Sequence, residues 1–154
     1  EYVQASSSNK IRKYDVEDTA VVNFVFKSGA LGTLSVSDTI VSPWSYELTA
    51  GENPAYPITN QSAYYIGGTK SSIQFPNYKE WYNKKERSWW KPILHKDEST
   101  RESRYTLTNQ INHLCDVVNK KAKPKITGED GLVSLKIFAA IIESAKTGKK
   151  VKIK

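Results

Sequence analysis

Apolar and polar residues alternate along the chain from Thr19 onward, which is the spacing of a half-buried β-strand. Ser28-Gly29 then turns the chain, and the return segment has Ala30, Gly32, Leu34 and Val36 on one face. A parallel sheet buried on both faces would be apolar without interruption, so the alternation predicts an antiparallel sheet. The opposite face carries Val21, Asn23 and Val25. It is too apolar for full solvation, which predicts that a second chain covers it.

Further strands are predicted from shorter segments bounded by glycine, proline and charged residues. Three are single segments: Tyr2–Ala5, a segment near Ser45–Ala50, and Val151–Ile153. Two are strand pairs: Tyr64–Gly67 with Ser71–Phe75, and Lys79–Asn83 with Trp90–His95, the latter joined by a turn at 84–87. Residues 96–104 are rich in charge and are predicted to form a loop.

The apolar spacing becomes helical after this loop. One helix is predicted at about 106–119, with an apolar face formed by Leu107, Ile111, Leu114, Cys115 and Val118. Pro124 prevents its continuation. A second helix begins after Thr127, which forms a capping-box pattern with Asp130, and it ends at Gly148.

Composition changes this picture little. Hydrophobic residues make up 38% of 154 residues and charged residues 25%, which is typical of one globular domain. The net charge of +7 permits nucleic-acid or membrane binding, but the lysines are scattered, so we predict neither partner. The single cysteine is compatible with a reducing compartment, and we expect a cytoplasmic protein. The first residue is not Met, which leads us to expect a fragment or a processed chain.

Groups that could carry out chemistry are few. The chain has no GxGxxG motif, Walker loop or CxxC pair. His95 and His113 are predicted to be packed or surface histidines, and Cys115 a core thiol. We therefore predict no catalytic residue, no metal site and no cofactor site in these 154 residues.

Aromatic residues concentrated in the middle third are the better functional clue. The loop from Trp44 to Tyr56 contains Glu52 and Asn53. The pair Trp89-Trp90 lies beside the charged segment 84–87. Apolar ring faces with a few polar groups suit a polyol. Packing within the fold is the alternative explanation. The candidate substrate-binding residues are Trp44, Glu52, Asn53, Tyr56, Trp89 and Trp90.

Several segments, in order, resemble the C-terminal domain of the Gfo/Idh/MocA family of glucose-fructose oxidoreductase and inositol dehydrogenase-like enzymes. They include 16–20, 26–33, 42–47, 50–57, 66–73, 87–92, 110–114 and 127–148. The resemblance implies an α+β domain over residues 1–154, with a largely antiparallel open sheet, helices on one face and oligomerisation through the other. It also implies that a separate N-terminal Rossmann domain, absent from this chain, binds the cofactor.

By this resemblance, the parent protein transfers hydride between NAD or NADP and a sugar, inositol or related polyol. The chain supplies substrate-pocket walls and homo-oligomer contacts, binds no cofactor itself and is inactive alone. The family's catalytic lysine and its Asp–His pair correspond to no residue here. A stand-alone carbohydrate-binding or protein-interaction module is the alternative, and single-strand nucleic-acid binding a third one. The sequence does not specify the substrate, the choice between NAD and NADP, the direction of the reaction or the oligomer size.

Overall fold

The computed structural model describes residues 1–97 and 105–153. Most strands precede the two long helices, and the predicted α+β class is confirmed. In chain order, the elements are β1 (Tyr2–Ser8), β2 (Thr19–Val25), β3 (Leu31–Ser37), α1 (Tyr46–Ala50), β4 (Tyr64–Gly67), β5 (Ser71–Phe75), β6 (Lys79–Tyr82), β7 (Leu94–Asp97), α2 (Thr106–Val118), α3 (Gly128–Thr147) and β8 (Val151–Lys152).

The chain divides into two compact units. Unit 1 consists of Glu1–Val41 and Lys123–Lys154, and unit 2 of Ser42–Ala122. Each unit has a four-stranded sheet, with strand order β3-β2-β1-β8 in unit 1 and β4-β5-β6-β7 in unit 2. All of these strand pairs are antiparallel, as the alternating pattern predicted.

The hairpin of unit 1 forms where the sequence predicted it. Val22 faces Ala5 on β1 and Leu34 on β3. Phe26 N donates to the Ala30 carbonyl at 2.9 Å across the turn. Gly29 has φ +84°, a conformation that costs glycine little because it has no Cβ. The alternation thus puts Val22 in the core, whereas Val21 on the other face is 50% exposed.

α3 packs across β1 and covers the core of unit 1. The buried centre is small and aliphatic, and partly buried side chains surround it. The buried members are Val3, Ala5, Val22 and Ala140, and the surrounding ones are Phe24, Ile141, Ala145, Val151 and Ile153. Burying such side chains removes apolar surface from water and is the main stabilising contribution here.

Ser144 is a polar residue inside this core. Its exposed fraction is 0%. Its Oγ accepts a hydrogen bond from Ala5 N at 2.9 Å and donates one to the Lys149 carbonyl at 2.5 Å. A buried hydroxyl is tolerated when it is hydrogen-bonded, and here it joins α3 to β1.

The ends of α3 form as the sequence predicted. Thr127 N donates to Asp130 Oδ2 at 2.8 Å, and Asp130 N donates to Thr127 Oγ1 at 3.3 Å, which completes the capping box. The hydrogen bond from Thr127 N, and after it one from Thr127 Oγ1 to the same carboxylate at 2.9 Å, holds the pKa of Asp130 below its ordinary value. At the other end, Gly148 is left-handed with φ +69°.

Two predictions for unit 2 were wrong in detail. The segment near Ser45–Ala50 is the helix α1, because Ser45 Oγ caps Leu48 N and Gly51 ends the turn at φ +65°. The strand predicted at Trp90–His95 is β7, Leu94–Asp97, so a loop of residues 83–93 replaces the predicted short turn. Residues 96 and 97 belong to this strand and not to the predicted loop, and 98–104 lie outside the described residues.

α2 matches its predicted bounds but not its predicted burial. None of its residues is buried, and Leu107, Ile111 and Leu114 keep more than half of their surface exposed. Cys115 is also exposed, so the prediction of a core thiol was wrong. An apolar stripe shows that a helix has a face suited to packing, and it does not show that this chain covers that face.

Candidate substrate site

The loop after α1 is a tightly hydrogen-bonded turn. Asn53 Oδ1 accepts from Ala55 N at 3.0 Å, and Tyr56 N donates to the Asn53 carbonyl at 3.2 Å. Asparagine favours such turns because its side chain reaches the backbone two residues further on. Downstream, Thr59 N donates to the Leu48 carbonyl at 2.9 Å and Thr59 Oγ1 to the Pro43 carbonyl at 2.6 Å. The loop is therefore fixed to the middle of α1 and to the segment that precedes it.

This turn forms one side of a cavity of about 380 Å³. Its lining is mostly apolar and contains two tyrosine side chains and one amide. The lining residues are Gly51, Asn53, Pro54, Tyr56, Ile58 and Tyr105. Ring faces together with a few polar groups are typical of small-molecule sites.

Glu52 is turned towards α1 and forms a hydrogen bond within the fold. Tyr46 Oη donates to Glu52 Oε1 at 2.8 Å. Partial burial, followed by this hydrogen bond and the Glu52 charge, raises the pKa of Tyr46 to about 12. The Tyr46 ring also lies 5.9 Å from the ring centres of both Tyr64 and Phe75. Glu52 thus connects the turn to the aromatic side chains of unit 2.

The structure brings together only some of the predicted substrate-binding residues. Asn53 and Tyr56 line the cavity. Glu52 is adjacent to them in sequence, but its carboxylate is bonded to Tyr46. Trp44 is 54% exposed and does not line the cavity. Trp89 and Trp90, exposed by 100% and 94% on the 83–93 loop, do not line it either.

Sequence reasoning missed three side chains of the cavity, of which Pro54 lies inside the predicted loop. Ile58 follows the turn and closes its apolar side, and Tyr105 immediately precedes α2. Ile58 follows Pro57 in the same loop, and this proximity could have identified it. Tyr105 gave no local signal, because it lies 49 positions beyond Tyr56.

The described part of the chain does not fit a dinucleotide or a metal ion. Rossmann sites require parallel strands joined by a helix, and every strand pair described is antiparallel. At the N-terminus of α3, where amides could hold a phosphate, Thr127 and Asp130 cap the helix instead. Within residues 1–97 and 105–153, no group of three or more His, Cys, Asp or Glu could hold a metal ion. No described helix is long and apolar enough to cross a bilayer.

The family follows from comparison with known sequences. The profile of the C-terminal alpha/beta domain of the Gfo/Idh/MocA oxidoreductase family matches residues 1–153. The chain belongs to this family. A comparison of the sequence with curated proteins gave no match.

Solved structures share the fold of this Gfo/Idh/MocA domain. An oxidoreductase from Agrobacterium radiobacter in complex with NAD+, L-tartaric acid and magnesium has 16% identity and a TM-score of 0.62, covering 99% of this chain and 43% of its own. The WlbA dehydrogenase from Chromobacterium violaceum, in complex with NADH and UDP-GlcNAcA, has 23% identity and a TM-score of 0.61, covering 98% and 39%. WlbA from Bordetella pertussis, with the same ligands, has 18% identity and a TM-score of 0.60, covering 100% and 39%.

The Gfo/Idh/MocA chain described here spans less than half the length of these structures. The family match assigns it as the C-terminal alpha/beta domain of an oxidoreductase.

Proposed function

We propose that this domain supplies a substrate wall to a nicotinamide-dependent oxidoreductase that acts on a sugar, inositol or related polyol. The observation that carries the proposal is the cavity in which Asn53 and Tyr56 meet. In this assignment, NAD or NADP binds to a separate Rossmann domain of the parent protein, and the catalytic groups lie outside these 154 residues. This domain positions the substrate.

The chemistry of the cavity supports a polyol. The turn uses Asn53 Oδ1, and no described residue accepts from the Asn53 amide nitrogen, which leaves two donors for substrate hydroxyls. Tyr56 is 46% exposed and offers a ring face against which the C–H face of a sugar can stack. A cavity of about 380 Å³ lies within the size range of small-molecule sites.

The structural neighbours are consistent with this substrate class. The Agrobacterium radiobacter oxidoreductase was solved with NAD+ and L-tartaric acid, and the Chromobacterium violaceum dehydrogenase with NADH and UDP-GlcNAcA. Each of these proteins combines a nicotinamide cofactor with a sugar-like, polar ligand. Identities of 16% and 23% do not extend either ligand to this chain, so the substrate stays a proposal.

The outer face of the unit 1 sheet is proposed as the homo-oligomer contact. Val21 is 50% exposed there, next to exposed Asn23 and partly exposed Val25. Exposed valine side chains on a strand face are suited to packing against a second copy of the sheet. Sedimentation of the parent protein as a monomer at high concentration would contradict this assignment. The single cysteine leads us to propose a cytoplasmic location.

Steady-state kinetics of the full protein encoded by this reading frame tests the substrate wall. Asn53→Ala and Tyr56→Ala should each raise KM for a sugar or polyol about tenfold, because about 1.4 kcal/mol of binding is lost. Tyr65→Ala is the matched control, since Tyr65 is 66% exposed on β4 and does not line the cavity. Equal KM values in all three variants, or no nicotinamide-dependent turnover of any polyol, would overturn the proposal.

The chain alone provides a second test. Because the proposal places the catalytic groups outside these residues, the 154-residue chain should show no nicotinamide-dependent oxidation of a polyol. Detectable turnover by the 154 residues would place the catalytic groups within them, contrary to the proposal.

A further inference from the structure

The loop between β6 and β7, residues 83–93, has a defined base and turn. Tyr82 pairs with Leu94 where the strands leave the loop. Lys91 Nζ lies 3.4 Å from Glu86 Oε2, which closes the segment between them. Trp90 N donates to Ser88 Oγ at 3.1 Å. The tryptophan pair thus lies inside a closed turn that extends from the end of the hairpin.

Both tryptophans of this turn are free of packing. Trp89 is 100% exposed and Trp90 94% exposed. Trp81, on β6 of the same hairpin, is partly buried and has the Lys79 ammonium 5.0 Å from its ring centre. Within the described residues, no aromatic or cation contact involves Trp89 or Trp90. Folding therefore leaves two large ring faces for a ligand.

The same loop is strongly basic. It contains one acidic residue, Glu86, and four basic ones, Lys84, Lys85, Arg87 and Lys91. Lys91 is paired with Glu86. In the part of the chain that the structure describes, no ion pair uses Lys84, Lys85 or Arg87. Cations of this kind, arginine especially, bind phosphate oxygens.

We propose that loop 83–93 binds a nucleoside diphosphate, with Trp89 and Trp90 stacking on the base and the cations neutralising the phosphates. This inference rests on the proposed function and makes the substrate a nucleotide-linked sugar. A free polyol has no charge for these cations to neutralise. A single-stranded nucleic acid needs a groove that follows several nucleotides, whereas one short loop matches one nucleotide.

Calorimetry of the 154-residue chain with uridine diphosphate tests the inference directly. Binding should weaken about tenfold in Trp89→Ala and again in Trp90→Ala, because aromatic stacking on a base contributes that much. Arg87→Ala should weaken binding of uridine diphosphate and leave binding of uridine unchanged. Trp44→Ala is the control, since Trp44 is 54% exposed and lies outside the loop. Circular dichroism should show that each variant folds, because the replaced side chains are exposed and contribute little to packing.

Several outcomes would overturn the inference. One is the absence of uridine diphosphate binding, and another is equal loss in the Trp44→Ala control and the loop variants. A third is binding of a deoxythymidine oligonucleotide, or of vesicles containing phosphatidylserine, that is at least a hundredfold tighter and lost in the tryptophan variants. Preference for NAD+ over uridine diphosphate would also contradict a substrate role.

The inference and the proposed function can fail separately. Nucleotide binding by the loop without nicotinamide-dependent turnover in the full protein would support the first and overturn the second. Turnover of free polyols by the full protein, unaffected by Trp89→Ala and Trp90→Ala, would support the proposed function and overturn nucleotide binding by the loop.

Discussion

Unit 1 buries aliphatic side chains between a helix and a sheet, whereas unit 2 leaves much of its aromatic surface in contact with solvent. Val3 and Val22 are 0% and 3% exposed in unit 1. In unit 2, Tyr56 is 46% exposed and Trp89 100% exposed. Every buried hydrophobic side chain among the described residues belongs to unit 1, although both units keep large apolar side chains exposed.

We therefore expect mutations in the two units to affect different properties of the protein. In unit 1, a lost contact should appear as lost stability, because the affected groups are buried and paired. In unit 2, the cavity and the 83–93 loop present groups to solvent, so their loss should appear in binding. Four substitutions test this contrast through the free energy of unfolding.

Ser144→Ala should have the largest effect. It leaves Ala5 N and the Lys149 carbonyl without their partner, and about 1–3 kcal/mol for each of the two unsatisfied groups gives a loss of about 2–6 kcal/mol. Urea denaturation measures it. Ser134→Ala on the exposed side of the same helix should cost less than about 0.5 kcal/mol. Equal losses would remove Ser144 from the set of residues that stabilise unit 1.

Val22→Ala should follow, at about 2 kcal/mol, because a fully buried valine loses its methyl groups. Its neighbour Val21 points to the opposite face and is 50% exposed. Val21→Ala should change the unfolding free energy of a monomer by less than about 0.5 kcal/mol. A larger loss for Val21→Ala that grows with protein concentration would support the proposed homo-oligomer face.

Thr127→Ala should cost about 1 kcal/mol by removing the helix cap, with Thr147→Ala at the opposite end of α3 as the control. The cap also predicts a pH dependence. The pKa of Asp130 is lowered in the folded state, so its contribution is present above the unfolded value of 3.8 and is lost as pH falls through the folded value. Thr127→Ala loses the hydrogen bond from Thr127 Oγ1 to Asp130 Oδ2 but keeps the one from the backbone N. Thermal unfolding should therefore show the difference in stability between wild type and Thr127→Ala narrowing as pH falls.

Tyr46→Phe in unit 2 should have the smallest effect, below about 1 kcal/mol, because the lost hydrogen bond to Glu52 is partly exposed. Ultraviolet titration should show one tyrosine ionising near pH 12 that is absent from the variant. The folded pKa is raised above the unfolded value of 10.0, so this stabilisation is present below pH 10 and lost as pH rises through about 12. A loss as large as that of Val22→Ala would contradict the contrast between the units.

Local signals made much of unit 1 predictable. The β2–β3 hairpin combines two-residue alternation with a glycine at the turn, and α3 combines an apolar stripe with caps at both ends. Such features depend on neighbours within a few positions. The role of Ser144 was not predictable, because its partner Ala5 lies 139 positions away.

Short or irregular segments limited prediction in unit 2. Tyr46, Leu48 and Ala50 alternate with polar residues, and five residues of this pattern fit a strand as well as the helix they form. The proximity of Asn53 and Tyr56 in the cavity was predictable because one turn contains both. Tyr105 was not, since only tertiary structure brings it to that turn.

The chain order of unit 1 has a consequence for synthesis. β1 leaves the ribosome well before its partner β8 and the serine on α3 that bonds to it. At roughly 5–20 residues per second, the segment between Val41 and Lys123 takes on the order of ten seconds to translate. During that interval, β1 has only the β2–β3 hairpin to pair with, and its open edge is a target for chaperones or for pairing with other nascent chains.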